Sequence, residues 1–247
     1  MLDIFSPLLS VDGLISLVTL VLLEIVLGVD NIIFIAIICG YLPHKNDQQK
    51  ARVIGLSLAL IIRVLLLMTI SWIAHLVKPL FYIGNFGASG RDLILLAGGL
   101  FLIVKTIKEI ANKFKIADHE KGAKATHLTM TQAIIQITLI DIVFSFDSIL
   151  TAVGLSNVII IMVLAVTISM LVMIWFAPYV SDFINKYPTI KMLALAFLII
   201  IGLLLVLESL HVHIEGVDFK TYAYVAMAFS VIVEMLNIRL RNVQGPK

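Results

Sequence analysis

The chain has 247 residues, 61% of them hydrophobic and only 14% charged, with a mean hydropathy of +1.09. A soluble domain carries about a quarter charged residues, so a water-soluble globule is excluded, and a net charge of +2 gives no reason to expect a nucleic-acid partner. The single cysteine, Cys39, excludes an internal disulfide and a cysteine-built zinc or iron–sulfur centre.

In chain order, no basic stretch precedes the first apolar run, so Met1-Leu2-Asp3 is not read as the start of a cleaved signal peptide. Seven apolar runs follow, at about 13–39, 53–77, 92–110, 130–154, 157–177, 190–210 and 221–238. Each approaches the roughly 20 residues that a helix needs to cross a bilayer. Backbone groups in lipid must pair within their own segment, so such runs are helices. No series of short alternating segments suggests a β-barrel. Between the third and fourth runs, about 111–129, lies the longest polar connection, KFKIADHEKGAK included. Fourteen of the 18 Lys and Arg residues fall in the loops after spans one, three and five and in the tail. Lys78, Arg91 and Lys220 fall on the other side, and Arg63 lies inside span two. The positive-inside rule then places the N-terminus outside and the C-terminus in the cytoplasm.

The first and fourth spans resemble each other. LLEIVLGVDNIIF at 22–34 matches LIDIVFSFDSILT at 139–151, so Glu24 meets Asp141, Asp30 meets Asp147 and Asn31 meets Ser148 at an offset of 117. At an offset of 103, Ile70-Ser71-Trp72-Ile73-Ala74 meets Met173-Ile174-Trp175-Phe176-Ala177, and Gly99-Leu100 meets Gly202-Leu203. Three spans per repeat means that the second copy enters the membrane from the opposite face, a plan that recurs in secondary transporters with the substrate near the midplane. The expected fold is therefore all-α and polytopic, a single transmembrane domain over 1–247. It comprises repeat one at about 13–110, a cytoplasmic linker at about 111–129, repeat two at about 130–210 and a last helix at about 221–238.

The duplicated motif carries the chemistry. A charged side chain at the bilayer centre costs about 2.5–3.5 kcal/mol on insertion scales, yet four acids, Glu24, Asp30, Asp141 and Asp147, fall within two spans. Arg63 alone cannot balance them, so a bound cation or protonated acids are expected. Glu24 and Asn31 are two helical turns apart and share a face, as do Asp141 and Ser148. Asp30 and Asp147 lie about 120° round a regular helix from their partner acids. Convergence of all six residues would need a local break, for which Gly28 and Ser145 are the candidates. Carboxylate, amide and hydroxyl oxygens suit hard divalent cations such as Mn²⁺, Mg²⁺ and Ca²⁺. The plainer alternative is that the acids pair with Arg63 and tie helices together; proton translocation alone is another.

Other polar residues carry less. Lys105 and Glu208 align in the repeat and read as interfacial anchors, and Gln132 and Gln136 as interhelical hydrogen bonders. Glu234 and Asn237 lie near the predicted cytoplasmic boundary. His211 and His213 form an outer H-x-H that reads as an exposed loop, and Trp72, Trp175 and Tyr179 as interface residues.

With RDLILLAGGLFLIVKTIKEI between the paired acidic motifs, the sequence closely resembles the TerC family of integral membrane proteins, most of all its short YgdQ-like bacterial branch, from about Leu14 to Asn237. That family groups with the LysE-like transporters, and the resemblance implies a bacterial inner-membrane location and Mn²⁺ efflux. It also implies a metal site of Glu24, Asp30, Asn31, Asp141, Asp147 and Ser148. The expected cargo is Mn²⁺, with Ca²⁺ or another hard divalent cation as substitute. Proton exchange on the same carboxylates would couple export, since protonation weakens the ligands. The expected partners are the cation and the lipid bilayer, with a second copy of the chain or a secretion machine as further candidates. A membrane partner that delivers metal to exported proteins is the second reading. An intramembrane aspartic protease built on Asp30 and Asp147 is disfavoured, because the YD and GxGD signatures are missing and Glu24 and Asp141 would be idle. No enzymatic activity is expected.

Overall fold

The computed structural model describes residues 10–69, 77–83, 86–118, 128–156, 158–212 and 219–244, with a few side chains inside these segments, Asp147 among them, outside that description. Helix α1 (Val11–Leu27) opens on Ser10, whose hydroxyl accepts from the Gly13 N–H at 3.0 Å and satisfies one of the orphan donors of the first turn. Helix α2 (Val29–Cys39) follows after Gly28 alone. The expected break is nominal: Gly28 has near-helical φ −85° and ψ −6°. The ladder runs through it, from Gly28 N–H to Glu24 O at 2.8 Å and from Ile32 N–H to Gly28 O at 3.1 Å. Glycine stands here for close approach, because a Cβ would fall on Met173 Sδ. No break occurs at Ser145 either, which is helical inside α5 (Met130–Leu155).

Helix α3 (Lys45–Met68) is patterned inside out relative to a soluble amphipathic helix. Arg52, Gly55, Ala59 and Arg63 are buried, whereas Ile54, Leu58, Ile61 and Leu65 form an exposed apolar stripe at helical spacing. Only a lipid surround makes that arrangement favourable. Residues 70–76, including Trp72, lie outside the described residues. A hairpin then interrupts the all-helical expectation: β1 (Pro79–Ile83) pairs antiparallel with β2 (Phe86–Ser89), Phe81 opposite Ala88 and Tyr82 opposite Gly87. Pro79 stands first in its strand, where no ladder donor is needed, and Phe81 and Tyr82 favour a pleated surface.

Helix α4 (Gly90–Asp118) extends eight residues beyond its expected end at 110. Thr129 then starts α5 with a full capping box. Its hydroxyl accepts from the Gln132 N–H at 3.3 Å, and the Gln132 side chain accepts from the Thr129 N–H at 3.1 Å. Gln132 is thus a cap and not an interhelical bonder. Thr129→Ala is expected to cost about 1 kcal/mol, measured as a lowered melting midpoint, while Gln132→Glu, which can still reach back, should cost less.

Helix α6 (Ile159–Lys186) continues past Pro178, beyond the expected end at 177. The proline removes one ladder bond, and the turns on either side sustain the helix. Helices α7 (Pro188–Ser209) and α8 (Phe219–Gln244) complete the described chain. Among the described residues, five segments are long and apolar enough to cross a membrane: Val11–Cys39, Lys45–Met68, Ile159–Lys186, Pro188–Ser209 and Phe219–Arg241.

Two compact units result, Met1–Arg91 with Thr126–Asp182, and Asp92–Ala125 with Phe183–Lys247. The division does not follow the boundary between the sequence repeats; each unit draws on both. In the first, α3 lies against α5, with Gly55 under Ile137, and the core includes Leu20, Phe34, Leu56 and Ile140. In the second, α4 passes α7 at Gly99 and Gly202, and α8 lies on α7.

Candidate functional site

The first unit brings the polar residues of α1, α2, α3 and α5 together. Glu24 stands in the last turn of α1, Asn31 in the first turn of α2, and Asp141 and Ser145 one turn apart on α5. Arg63 reaches them from α3 with only 1% of its surface exposed; Glu24 is 1% exposed and Asp141 3%. The guanidinium spends one nitrogen on each neighbour. Nη1 donates to Glu24 Oε2 at 2.7 Å, Nη2 to Asp141 Oδ1 at 3.1 Å and Nε to Ser145 Oγ at 2.9 Å. Ser145 Oγ passes a bond on to Asp141 Oδ2 at 3.2 Å, and Asn31 Nδ2 donates to Asp141 Oδ1 at 3.4 Å.

Two acceptors in this cluster are left over. Glu24 Oε1 and Asn31 Oδ1 are both buried with no partner at close hydrogen-bond distance, the Ser148 hydroxyl lying near the Glu24 carboxylate. Buried polar oxygens usually have partners, so this pair marks where a positive ligand would be welcome. Ser148 neighbours Glu24, and its hydroxyl donates to the Ser145 carbonyl at 3.4 Å. Asp30 is buried on α2, and the Asp147 side chain lies outside the described residues.

Of the six expected ligands, Glu24, Asn31, Asp141 and Ser148 belong to this cluster. Among the described residues, no three acidic, imidazole or thiol side chains are placed to hold a metal ion together. The centre of the arrangement is instead Arg63. Sequence reasoning located it in span two and weighed it as a counter-ion, but missed Ser145 as its third partner. The i, i+4 spacing of Asp141 and Ser145 was the available signal.

The remaining predicted residues lie elsewhere. Lys105 pairs with Glu109 at 3.2 Å and Glu208 with Lys220 at 2.8 Å, each within the second unit. His211, at φ 53°, does not simply hang in a loop: its Nε2 lies 3.1 Å from Asp92 Oδ1, linking the end of α7 to the first turn of α4. His213 lies outside the described residues. Asn237 Nδ2 donates to Glu234 Oε2 at 3.4 Å, beside Thr189. Trp175 and Tyr179 are exposed on α6, ring centroids 6.1 Å apart and edge to face.

No solved structure matches the chain. Residues 9–245 match the model of the integral membrane protein TerC family. A Haemophilus influenzae protein named "UPF0053 protein" is 48% identical over 231 residues, 94% of this chain and 95% of that protein. The Escherichia coli "UPF0053 inner membrane protein YgdQ" is 45% identical over 243 residues, 98% of this chain and 99% of that protein. The Escherichia coli "UPF0053 inner membrane protein YoaE" is 46% identical over 228 residues, 92% of this chain but 43% of that longer protein. Rich in long apolar helices and matched almost end to end, the chain belongs to the TerC family of integral membrane proteins.

Proposed function

We propose that the protein is a transporter that exports a divalent metal cation, Mn²⁺ first among candidates, across the bacterial inner membrane, N-terminus outside and C-terminus in the cytoplasm. The observation that carries this reading is the pair of buried, unpartnered oxygens, Glu24 Oε1 and Asn31 Oδ1, beside an acid-rich cluster. Glu24 and Asp141 are buried against a single arginine in the cluster, with Asp30 also buried on α2, and excess negative charge away from water calls for a cation or protons. Every side-chain donor atom offered to that cation is oxygen, which suits a hard ion.

A second support is the duplication. Gly99 and Gly202, equivalent in the sequence repeat, touch reciprocally. A Cβ on Gly99 would lie 2.7 Å from the Gly202 carbonyl oxygen, and one on Gly202 would lie 3.0 Å from that of Gly99. Equivalent residues that contact each other in both directions are what a two-fold relation between halves produces. On this reading the halves rock about the acidic cluster. A cell interior negative by 100 mV opposes export of a divalent ion by about 4.6 kcal/mol, so coupling is needed, and proton exchange on the carboxylates supplies it.

The test is calorimetric titration of the purified protein with Mn²⁺, Ca²⁺, Mg²⁺ and Zn²⁺, beside an Asp30→Asn/Asp147→Asn variant. Saturable Mn²⁺ binding that weakens at least about tenfold in the variant, a loss of about 1.4 kcal/mol, is expected. A folded wild-type protein that binds none of the four metals sinks the proposal. Binding without Mn²⁺ flux in liposomes moves the role to metal delivery.

A further inference from the structure

We infer that Arg63 is a tethered competitor for the cargo, resting on the transport reading above: its guanidinium occupies acidic oxygens that a divalent cation needs, and it thereby shuts out monovalent cations. Glu24 and Asp141 occupy equivalent positions in the two sequence halves, and one guanidinium bridges both, through Nη1 and Nη2. The position equivalent to Arg63 in the second half is Val166, apolar and 1% exposed. A single positive charge thus serves two acids, and its third donor is spent on Ser145.

The oxygens left over show how exchange begins. Arg63 holds Oε2 of Glu24, while Oε1 and the Asn31 amide oxygen stay buried with no close hydrogen-bond partner, Ser148 being the hydroxyl nearby. A cation can engage these two before Arg63 lets go. It then gains further carboxylate oxygens by taking Glu24 Oε2 and Asp141 Oδ1 from the guanidinium. Arg63 cannot leave by losing a proton, since an arginine stays charged in proteins. It must be outbid.

Valence decides that contest. At a given distance a divalent ion attracts each carboxylate twice as strongly as a monovalent one. Replacing the guanidinium by Na⁺ or K⁺ gains no charge and loses three directed hydrogen bonds. Replacing it by Mn²⁺ gains one unit of charge opposite two carboxylates. Arg63 therefore acts as a specificity residue whose price is weaker divalent binding.

Mn²⁺ titration of the full chain in detergent tests this, in choline chloride and in sodium chloride at equal ionic strength. Wild-type affinity is expected to differ by less than about twofold between the salts. In Arg63→Gln, affinity in choline is expected to tighten by about tenfold, and sodium to weaken it by a similar factor, each the scale of a 1.4 kcal/mol exchange. Arg63→Lys keeps the charge but lacks the fork, so Mn²⁺ should tighten by a smaller factor while sodium stays excluded. A purely structural arginine predicts the opposite sign, weaker Mn²⁺ binding in both variants, and that result overturns the inference. So does a wild-type protein in which sodium competes strongly, an outcome that stands even if Arg63→Gln fails to fold. A wild type that binds no Mn²⁺ overturns both this inference and the transport reading; wild-type binding with no gain in the variants overturns this inference alone.

Discussion

Arg63→Met is expected to lower the stability of the metal-free protein by about 3–5 kcal/mol, the usual cost of removing one partner from a buried ion pair. The side chain is nearly the volume of the one replaced, so packing contributes little to the loss. The cost is electrostatic, because Glu24 and Asp141 stay behind at 1% and 3% exposure with their main donor gone. Adding Glu24→Gln and Asp141→Asn to Arg63→Met should recover a large part of the loss, since a network with no charged member leaves no charge uncompensated. The measurement is thermal unfolding in detergent for the single and triple variants. Equal losses in the two would show that the cluster is held by shape and not by charge. Because contacting residues couple by about 0.5–3 kcal/mol, the single effects are expected not to add.

The second large effect is at the glycine crossing of the second unit. Gly202→Val is expected to destabilise by about 3 kcal/mol, the upper range for forcing extra carbons into a packed site. The first added carbon already meets Ile103 Cγ1 at 2.7 Å and the Gly99 carbonyl oxygen at 3.0 Å. A side chain can rotate away, but the facing backbone cannot. Helices α4 and α7 would have to part. Gly99→Val meets the Gly202 carbonyl at 2.7 Å and Val206 Cγ2 at 2.9 Å, so the two substitutions should be similarly harmful. A melting midpoint unchanged in both variants would show that α4 and α7 are not in contact at these glycines in the folded protein.

The helices were legible in the sequence because lipid imposes length and apolarity on each segment. Described helices coincide with the expected spans over much of their length, although residues 70–76 of the second span lie outside the described residues, and ends are displaced where local chemistry overrides hydropathy. Thr129 begins α5 with a cap that hydropathy cannot register, and α6 runs through Pro178 because one lost ladder bond does not end a helix. The hairpin of Pro79–Ile83 and Phe86–Ser89 was hidden because its pairing is set by contacts across a turn and not by a long period. At the site, the repeat of Glu24 and Asp141 was readable, and so was the lone Arg63. The three-way bonding of that guanidinium was not, since helix period fixes which face a residue occupies but not the distance between helices. Gly28 misled for a related reason. A glycine amid polar residues reads as a break, whereas its missing side chain makes room for Met173.

The unbroken ladder at Gly28 also bears on which ions can be stripped of water. The carbonyl of Glu24 is already engaged by the Gly28 N–H, and that of Gly28 by the Ile32 N–H. Each of these main-chain oxygens already accepts one ladder bond, so, on the proposed transport reading, a dehydrated ion would replace its hydration shell mainly from side chains. Mg²⁺ and ions of its size are content with six oxygens, whereas Ca²⁺ takes six to eight. If the proposed transport holds, a larger ion would have to keep part of its water, and size discrimination would follow from a helix that declines to unwind.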